Sequence, residues 1–108
     1  MTGAELPEPV RRAIDAVNAG DTDTFLAQFT ADGWIDDNGR RFTGHDAMRG
    51  WSDRELIGAH TRFDVTGSEP AGDDAALDIE VTSDGFNGYS RFTFAVDGDA
   101  LRSMAITA

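Results

Sequence analysis

Two adjacent carboxylates, Asp36 and Asp37, follow the apolar pair Trp34-Ile35 in this chain of 108 residues. A carboxylate set against apolar surroundings is poorly hydrated and becomes a useful proton acceptor near neutral pH. The pair is therefore a candidate general base. Adjacent residues of a strand point to opposite faces, so at most one of the two can face inward. The other reading of Asp36 and Asp37 is an exposed acidic turn beside Asn38-Gly39. Side chains suited to wall an apolar ligand site are Trp34, Trp51, Met48, Phe63, Phe92, Phe94 and Met104. Plain core or interface packing would use the same residues. Histidine exchanges protons near neutrality; His45 follows Gly44 at an expected helix start, and His60 opens a strand. Tyr89, the only tyrosine, alternates onto the face of Arg91 and Thr93.

The residues the chain lacks narrow the chemistry further. It has no Cys and no Lys, its nine cations all being Arg, which excludes thiol and Schiff-base catalysis. A net charge of -11 repels phosphate backbones and acidic membrane surfaces, so neither nucleic acid nor membrane is an expected partner. No nucleophilic triad, phosphate-cradling loop or metal-ligand cluster is recognisable, and the expected chemistry uses no cofactor and no metal. No apolar run approaches the roughly 18 residues of a membrane span, and no secretory leader is evident, so a cytoplasmic location is expected.

The elements that must position these residues can be read from periodicity. Residues 1–108 suit one domain, with Met1–Glu5 expected to fray. Val10, Ala13, Ile14 and Val17 form one apolar stripe of a first helix over Glu8–Asn18, stopped by Gly20. Asp21 reads as the N-cap of a second helix over Thr22–Phe29. A short strand, Trp34–Asp36, leads through a turn at Asn38-Gly39 into a return strand, Arg41–Thr43. A third helix is expected over Asp46–Leu56, with Ala47, Met48, Trp51 and Glu55 near one face. Strands follow at Thr61–Gly67, Ala75–Ser83, Tyr89–Val96 and Leu101–Thr107, with Glu69–Asp74 as a turn. Their period-two alternation puts Thr61, Phe63, Val65, Leu77, Ile79, Val81, Ser90, Phe92 and Phe94 on a covered face. Helices segregated on one face of a curved, mixed or antiparallel sheet make an α+β roll.

This order of elements carries Asn18-Ala19-Gly20-Asp21 after the first helix and Phe29-Thr30-Ala31-Asp32 before the first strand, with Ala47, Arg49 and Trp51 spaced on the third helix. The set resembles the nuclear transport factor 2-like superfamily, and within it the SnoaL-like polyketide cyclase and ketosteroid isomerase branch. The resemblance implies a cone-like, cystatin-like roll around one pocket. In ketosteroid isomerases a first-strand aspartate is the base, and a tyrosine and a protonated aspartate form the oxyanion hole. By that resemblance the base position falls on Asp37, with Asp36 one residue away; the tyrosine position falls on Ala13 and the second aspartate position near Ser90. The oxyanion donors are thus missing or changed, which argues against steroid isomerisation. The implied function is binding of an apolar small molecule, with isomerase, cyclase or dehydratase chemistry on a carbonyl substrate using Asp37 or Asp36 as base. The alternative is a non-catalytic ligand-binding or dimerisation module. A homodimer through the outer sheet face, where Tyr89 and Arg91 lie, is the assembly the resemblance implies.

Overall fold

A computed structural model describes residues 6–107. The expectation for Met1–Glu5 lies outside these residues. Helix α1 spans Glu8–Ala19, with Pro9 in the first turn, where its missing N–H costs nothing. Its stripe of Val10, Ala13, Ile14 and Val17 is buried. Gly20 ends the helix in the left-handed conformation (φ 70°), and the Asp21 N–H returns to the Ala16 carbonyl at 2.9 Å. Asp21 then caps α2, Thr22–Ala27: its carboxylate accepts from the Thr24 N–H at 3.1 Å and from the Thr24 hydroxyl at 2.7 Å.

Helix α2 stops two residues before Phe29, because that residue is already in a strand. Strand β1 runs over Phe29–Asp37, five residues earlier than its apolar core suggests. Its early part pairs with a distant segment: Phe29 lies opposite Leu101, and the Leu101 N–H donates to the Gln28 carbonyl at 2.7 Å. The register shifts between Phe29 and Trp34. This pairing overrides local helix propensity, which a reading by periodicity does not see.

Strand β2, Arg40–Thr43, returns through Asn38 (φ 52°) and Gly39 (φ 95°), the two positive φ values of a tight hairpin. Helix α3 covers His45–Glu55, and a 3-10 turn, Ile57–Ala59, closes its end. Strands β3 (Arg62–Ala71), β4 (Asp74–Thr82), β5 (Gly88–Asp97) and β6 (Ala100–Thr107) complete the chain. The β3–β4 turn is confined to Gly72-Asp73, shorter than the expected Glu69–Asp74. Pro70 is admitted because β3 is an edge strand. Val65 lies opposite the buried Ile79, as the alternation expects, but on this edge strand it is 38% exposed; the register shifts after it, before Gly67.

The sheet order is β2-β1-β6-β5-β4-β3, mixed because β1 and β6 run parallel. The three helices cover one face, and the core lies between. Asn18, near the end of α1, ties that helix to the edge of the sheet: its side chain accepts from the Phe63 N–H at 2.7 Å and donates to the Phe63 carbonyl at 3.0 Å.

Candidate functional site

Strand register decides which acid faces inward. Asp37 lies opposite Ile106, Ile106 opposite Phe92, and Phe92 opposite Leu77, forming one row across four strands. Ile35, Met104, Phe94 and Ala75 form the next row. Both rows are on the helix-covered face, because Ile35, Phe92, Phe94 and Met104 are all buried. Asp37 therefore shares the inner face, and Asp36 shares the outer face with Trp34.

Asp37 borders a half-open cavity of about 300 Å³ between α3 and the sheet. Trp51, Leu56, Phe63, Val81, Phe92 and Ile106 supply its apolar wall. Phe63 and Phe92 meet edge to face with ring centroids 4.9 Å apart. Phe86, 51% exposed, stands at the rim on the β4–β5 loop. Ser83 and Asn87 brace that loop: the Ser83 hydroxyl donates to the Phe86 carbonyl at 2.7 Å, and the Asn87 side chain accepts from the Ser83 N–H at 3.0 Å.

The mouth carries a small charged cluster. Arg40 donates to both oxygens of Glu55, at 3.0 and 2.6 Å, and also pairs with Asp37. Arg40 comes from the hairpin and Glu55 from the last turn of α3, one turn beyond Trp51, so the cluster links two elements. The Trp51 indole N–H donates to Asp37 Oδ2 at 3.2 Å. The hydrogen bonds from Arg40 hold the Glu55 carboxyl below its ordinary range, and those to Glu55 and then Asp37 push the Arg40 guanidinium upward. Arg40 is thus a cation throughout the accessible pH range.

Of the residues singled out from the sequence, Asp37, Trp51, Phe63 and Phe92 meet at this cavity. Asp36, Trp34, Met48, Phe94 and Met104 do not line it. Asp36 instead accepts from the Gly39 N–H at 2.8 Å and stabilises the hairpin turn. Trp34 lies under the Arg41 guanidinium, 4.7 Å from ring centroid to charge. Placing Trp34 and Asp37 in one pocket conflicts with strand alternation, since residues three apart face opposite ways. Met48, Phe94 and Met104 are core residues, each no more than 1% exposed.

His45 donates from Nε2 to the Phe29 and Thr30 carbonyls at 3.1 and 3.2 Å, linking α3 to β1. His60 is exposed and does not line the cavity, and its Nδ1 lies 2.6 Å from Asp84. Tyr89, 66% exposed, is on the outer face beside Arg91, which pairs with Asp78 at 2.8 Å and with Glu69. Sequence reasoning missed Arg40, Glu55, Thr61 and Phe86 as cavity residues, whereas Ser90, where the resemblance put the second aspartate position, does line the cavity. One of those missed had a signal: Glu55 is four residues after Trp51. Phe86 had none, because it belongs to a loop.

Among the described residues, no helix is long and apolar enough to cross a membrane, and no group of three or more His, Cys, Asp or Glu side chains is placed to hold a metal.

A helix-covered, curled mixed sheet with an apolar hollow at one end defines a cone-shaped α+β pocket fold. The SnoaL-like domain model matches residues 10–103, so the chain belongs to that family, within the nuclear transport factor 2-like superfamily. The chain is similar in structure to a candidate polyketide cyclase from Sinorhizobium meliloti, at 23% identity and a TM-score of 0.88, covering 99% of this chain and 100% of that one. It is similar to RV0760c from Mycobacterium tuberculosis, solved in complex with estradiol-17beta-hemisuccinate: 18% identity, TM-score 0.81, covering 96% and 95%. It is also similar to a Delta 5-3-ketosteroid isomerase from Mycobacterium sp.: 17% identity, TM-score 0.80, covering 93% and 89%. At these identities the likeness establishes the fold. No curated protein matches the chain.

Proposed function

We propose that the protein binds an apolar, carbonyl-bearing small molecule in the cavity and removes a proton beside the carbonyl, with Asp37 as the general base. The observation that carries this reading is the inward carboxylate of Asp37 at the border of an aromatic-walled hollow. The volume, about 300 Å³, is at the small end of ligand pockets. The ligand in the RV0760c complex and the activity named for the Mycobacterium isomerase support a pocket of this use. Proton transfer of this kind serves isomerisation, cyclisation and dehydration alike, and needs no cofactor.

A second reading, a non-catalytic binder, is favoured by one observation. Asp37 Oδ2 already accepts from Trp51 and pairs with Arg40, so only part of the carboxylate faces a ligand.

Exchange of the α-protons of 2-tetralone in D2O, followed by NMR, separates the readings. The base reading expects saturable acceleration that falls about 10²-fold or more in Asp37→Asn and survives in Asp36→Asn. Binding of 2-tetralone with no acceleration establishes the binder instead. We also assign self-association to the outer sheet face around Tyr89 and Arg91; a solution mass of one chain by light scattering contradicts this.

A further inference from the structure

One aromatic side chain stands apart from the others. Phe25, Phe29, Phe63, Phe92 and Phe94 are buried in the core, whereas Phe86 is half-exposed at the rim of the cavity. An apolar ring left in water forgoes the stabilisation that burial would bring. The β4–β5 ladder ends where Val81 lies opposite Gly88, so Phe86 belongs to a loop that projects past the paired strands. Its ring lies across Gly88: a Cβ at that residue (φ 151°) would be 3.3 Å from the tip of the ring.

This loop is braced from within and tied to its surroundings at one residue. Besides the bonds of Ser83 described above, the Gly85 N–H donates to Ser83 Oγ at 3.0 Å, and the Asn87 amide donates to the Ser83 and Gly85 carbonyls at 3.0 and 3.2 Å. A segment cross-braced in this way moves as one body. Among the described residues, its hydrogen bonds to the corner after α3 are both made by Asp84. The Asp84 N–H donates to the Ala59 carbonyl at 2.9 Å, and the carboxylate accepts from His60 Nδ1 at 2.6 Å. Both side chains of that pair are well exposed, where such a bond contributes little, so local opening there costs little. Ala59 and His60 lie between the cavity-lining Leu56 and Thr61, and Asp84 lies between the cavity-lining Ser83 and Phe86. The tie therefore closes a seam between two segments that both border the cavity.

We infer that the β4–β5 loop is a gate over the cavity, with Phe86 as its cover, Gly88 as its hinge and the Asp84–His60 pair as its latch. The cavity opens when the latch parts and the loop swings away from the corner after α3. With the latch shut, Phe86 shields the contents of the cavity from water. The motion needs only the cavity; its role in ligand traffic rests on the cavity being the ligand site, as proposed above, and does not need Asp37 to be a base.

The test cross-links the latch. The chain has no Cys, so His60→Cys together with Asp84→Cys supplies its only thiols, and 1,2-ethanediyl bismethanethiosulfonate joins them reversibly. Trp51, buried on the cavity wall, is the reporter in a Trp34→Phe background. Two readouts are taken: quenching of Trp51 by acrylamide, which needs no ligand, and stopped-flow association and dissociation of 2-tetralone. Cross-linking should lower the quenching constant about threefold or more and slow both tetralone rates about tenfold or more, with affinity kept within about twofold. Dithiothreitol should restore the starting values. Asp84→Ala should raise quenching and both rates about three- to tenfold. Phe86→Ala should abolish the effect of the cross-link. Quenching and rates unchanged by cross-linking overturn the gate while the cavity stands as the ligand site. If quenching responds but 2-tetralone does not bind, the gate holds and the ligand reading fails.

Discussion

Two donors meet at one oxygen of Asp37: the Trp51 indole at 3.2 Å and the Arg40 guanidinium. Arg40 is itself held from the other side by both oxygens of Glu55. Glu55 is thus the counterweight of the cluster, and its loss frees Arg40 to turn wholly toward Asp37. Its carboxyl is held below its ordinary value of 4.5, first by the hydrogen bonds from Arg40. A depressed carboxyl contributes stability that is complete above the unfolded value and is lost as pH falls through the lower, folded value. Because the pair is largely exposed, the contribution is only roughly 0.2–1 kcal/mol. Glu55→Gln should therefore flatten the acid side of the stability profile below about pH 5, where the unfolded carboxyl begins to protonate. Thermal melts of wild type and variant from pH 3 to pH 7 check this; parallel curves would contradict it. The acid pair itself was legible in the sequence, and so was the rule that its members face opposite ways. Extending the alternation from Ile35 would have assigned Asp37 to the inner face and removed Trp34 from the site. The ring of Arg40 and Glu55 was less visible, because it joins residues fifteen apart through a tertiary contact.

At the scale of elements, the corner after α3 sets the width of the mouth. Leu56 and Thr61 flank the 3-10 turn and both line the cavity. Gly58 allows the turn to fold back on the helix: a Cβ there would lie 1.6 Å from the Asp53 carbonyl oxygen, which is backbone and has no side-chain freedom to yield. Gly58→Ala should destabilise the protein by on the order of 2–3 kcal/mol and weaken ligand binding, since Leu56 and Thr61 must move with the turn. Chemical denaturation checks the first part, and an unchanged midpoint would contradict it. Most elements were legible: the stripe of α1, the Gly20 stop, the Asp21 cap and the Asn38-Gly39 turn all have local causes. Strand β1 was half legible. Its first residue, Phe29, is strand because it pairs with Leu101 of β6, more than sixty residues away, and the register shifts before pairing resumes at Trp34. Val65 keeps its expected place opposite Ile79 and is exposed because β3 is the edge strand, which local alternation does not reveal.

Across the whole molecule, the fold separates two surfaces of one sheet. The inner surface carries the aromatic rows and Asp37, and the outer surface carries Trp34, Asp36, Tyr89 and Arg91. The family-level architecture was legible from element order, because short motifs at Asn18–Asp21 and Phe29–Asp32 mark where helices stop. The cavity was not, because whether a cone is filled or hollow depends on how far Met48, Phe94 and Met104 pack beneath it. These three fill the narrow end and leave the wide end to Trp51, Phe63 and Phe92. The two tryptophans now report from opposite faces, Trp51 bonded to Asp37 and Trp34 beneath Arg41. A titration with 2-tetralone followed through their two indole N–H signals in a 1H–15N correlation spectrum therefore tests the central claim most directly. Saturable displacement of the Trp51 signal with the Trp34 signal unmoved is the expected result; a Trp34 response, or none from either, would contradict an inner-face binding site.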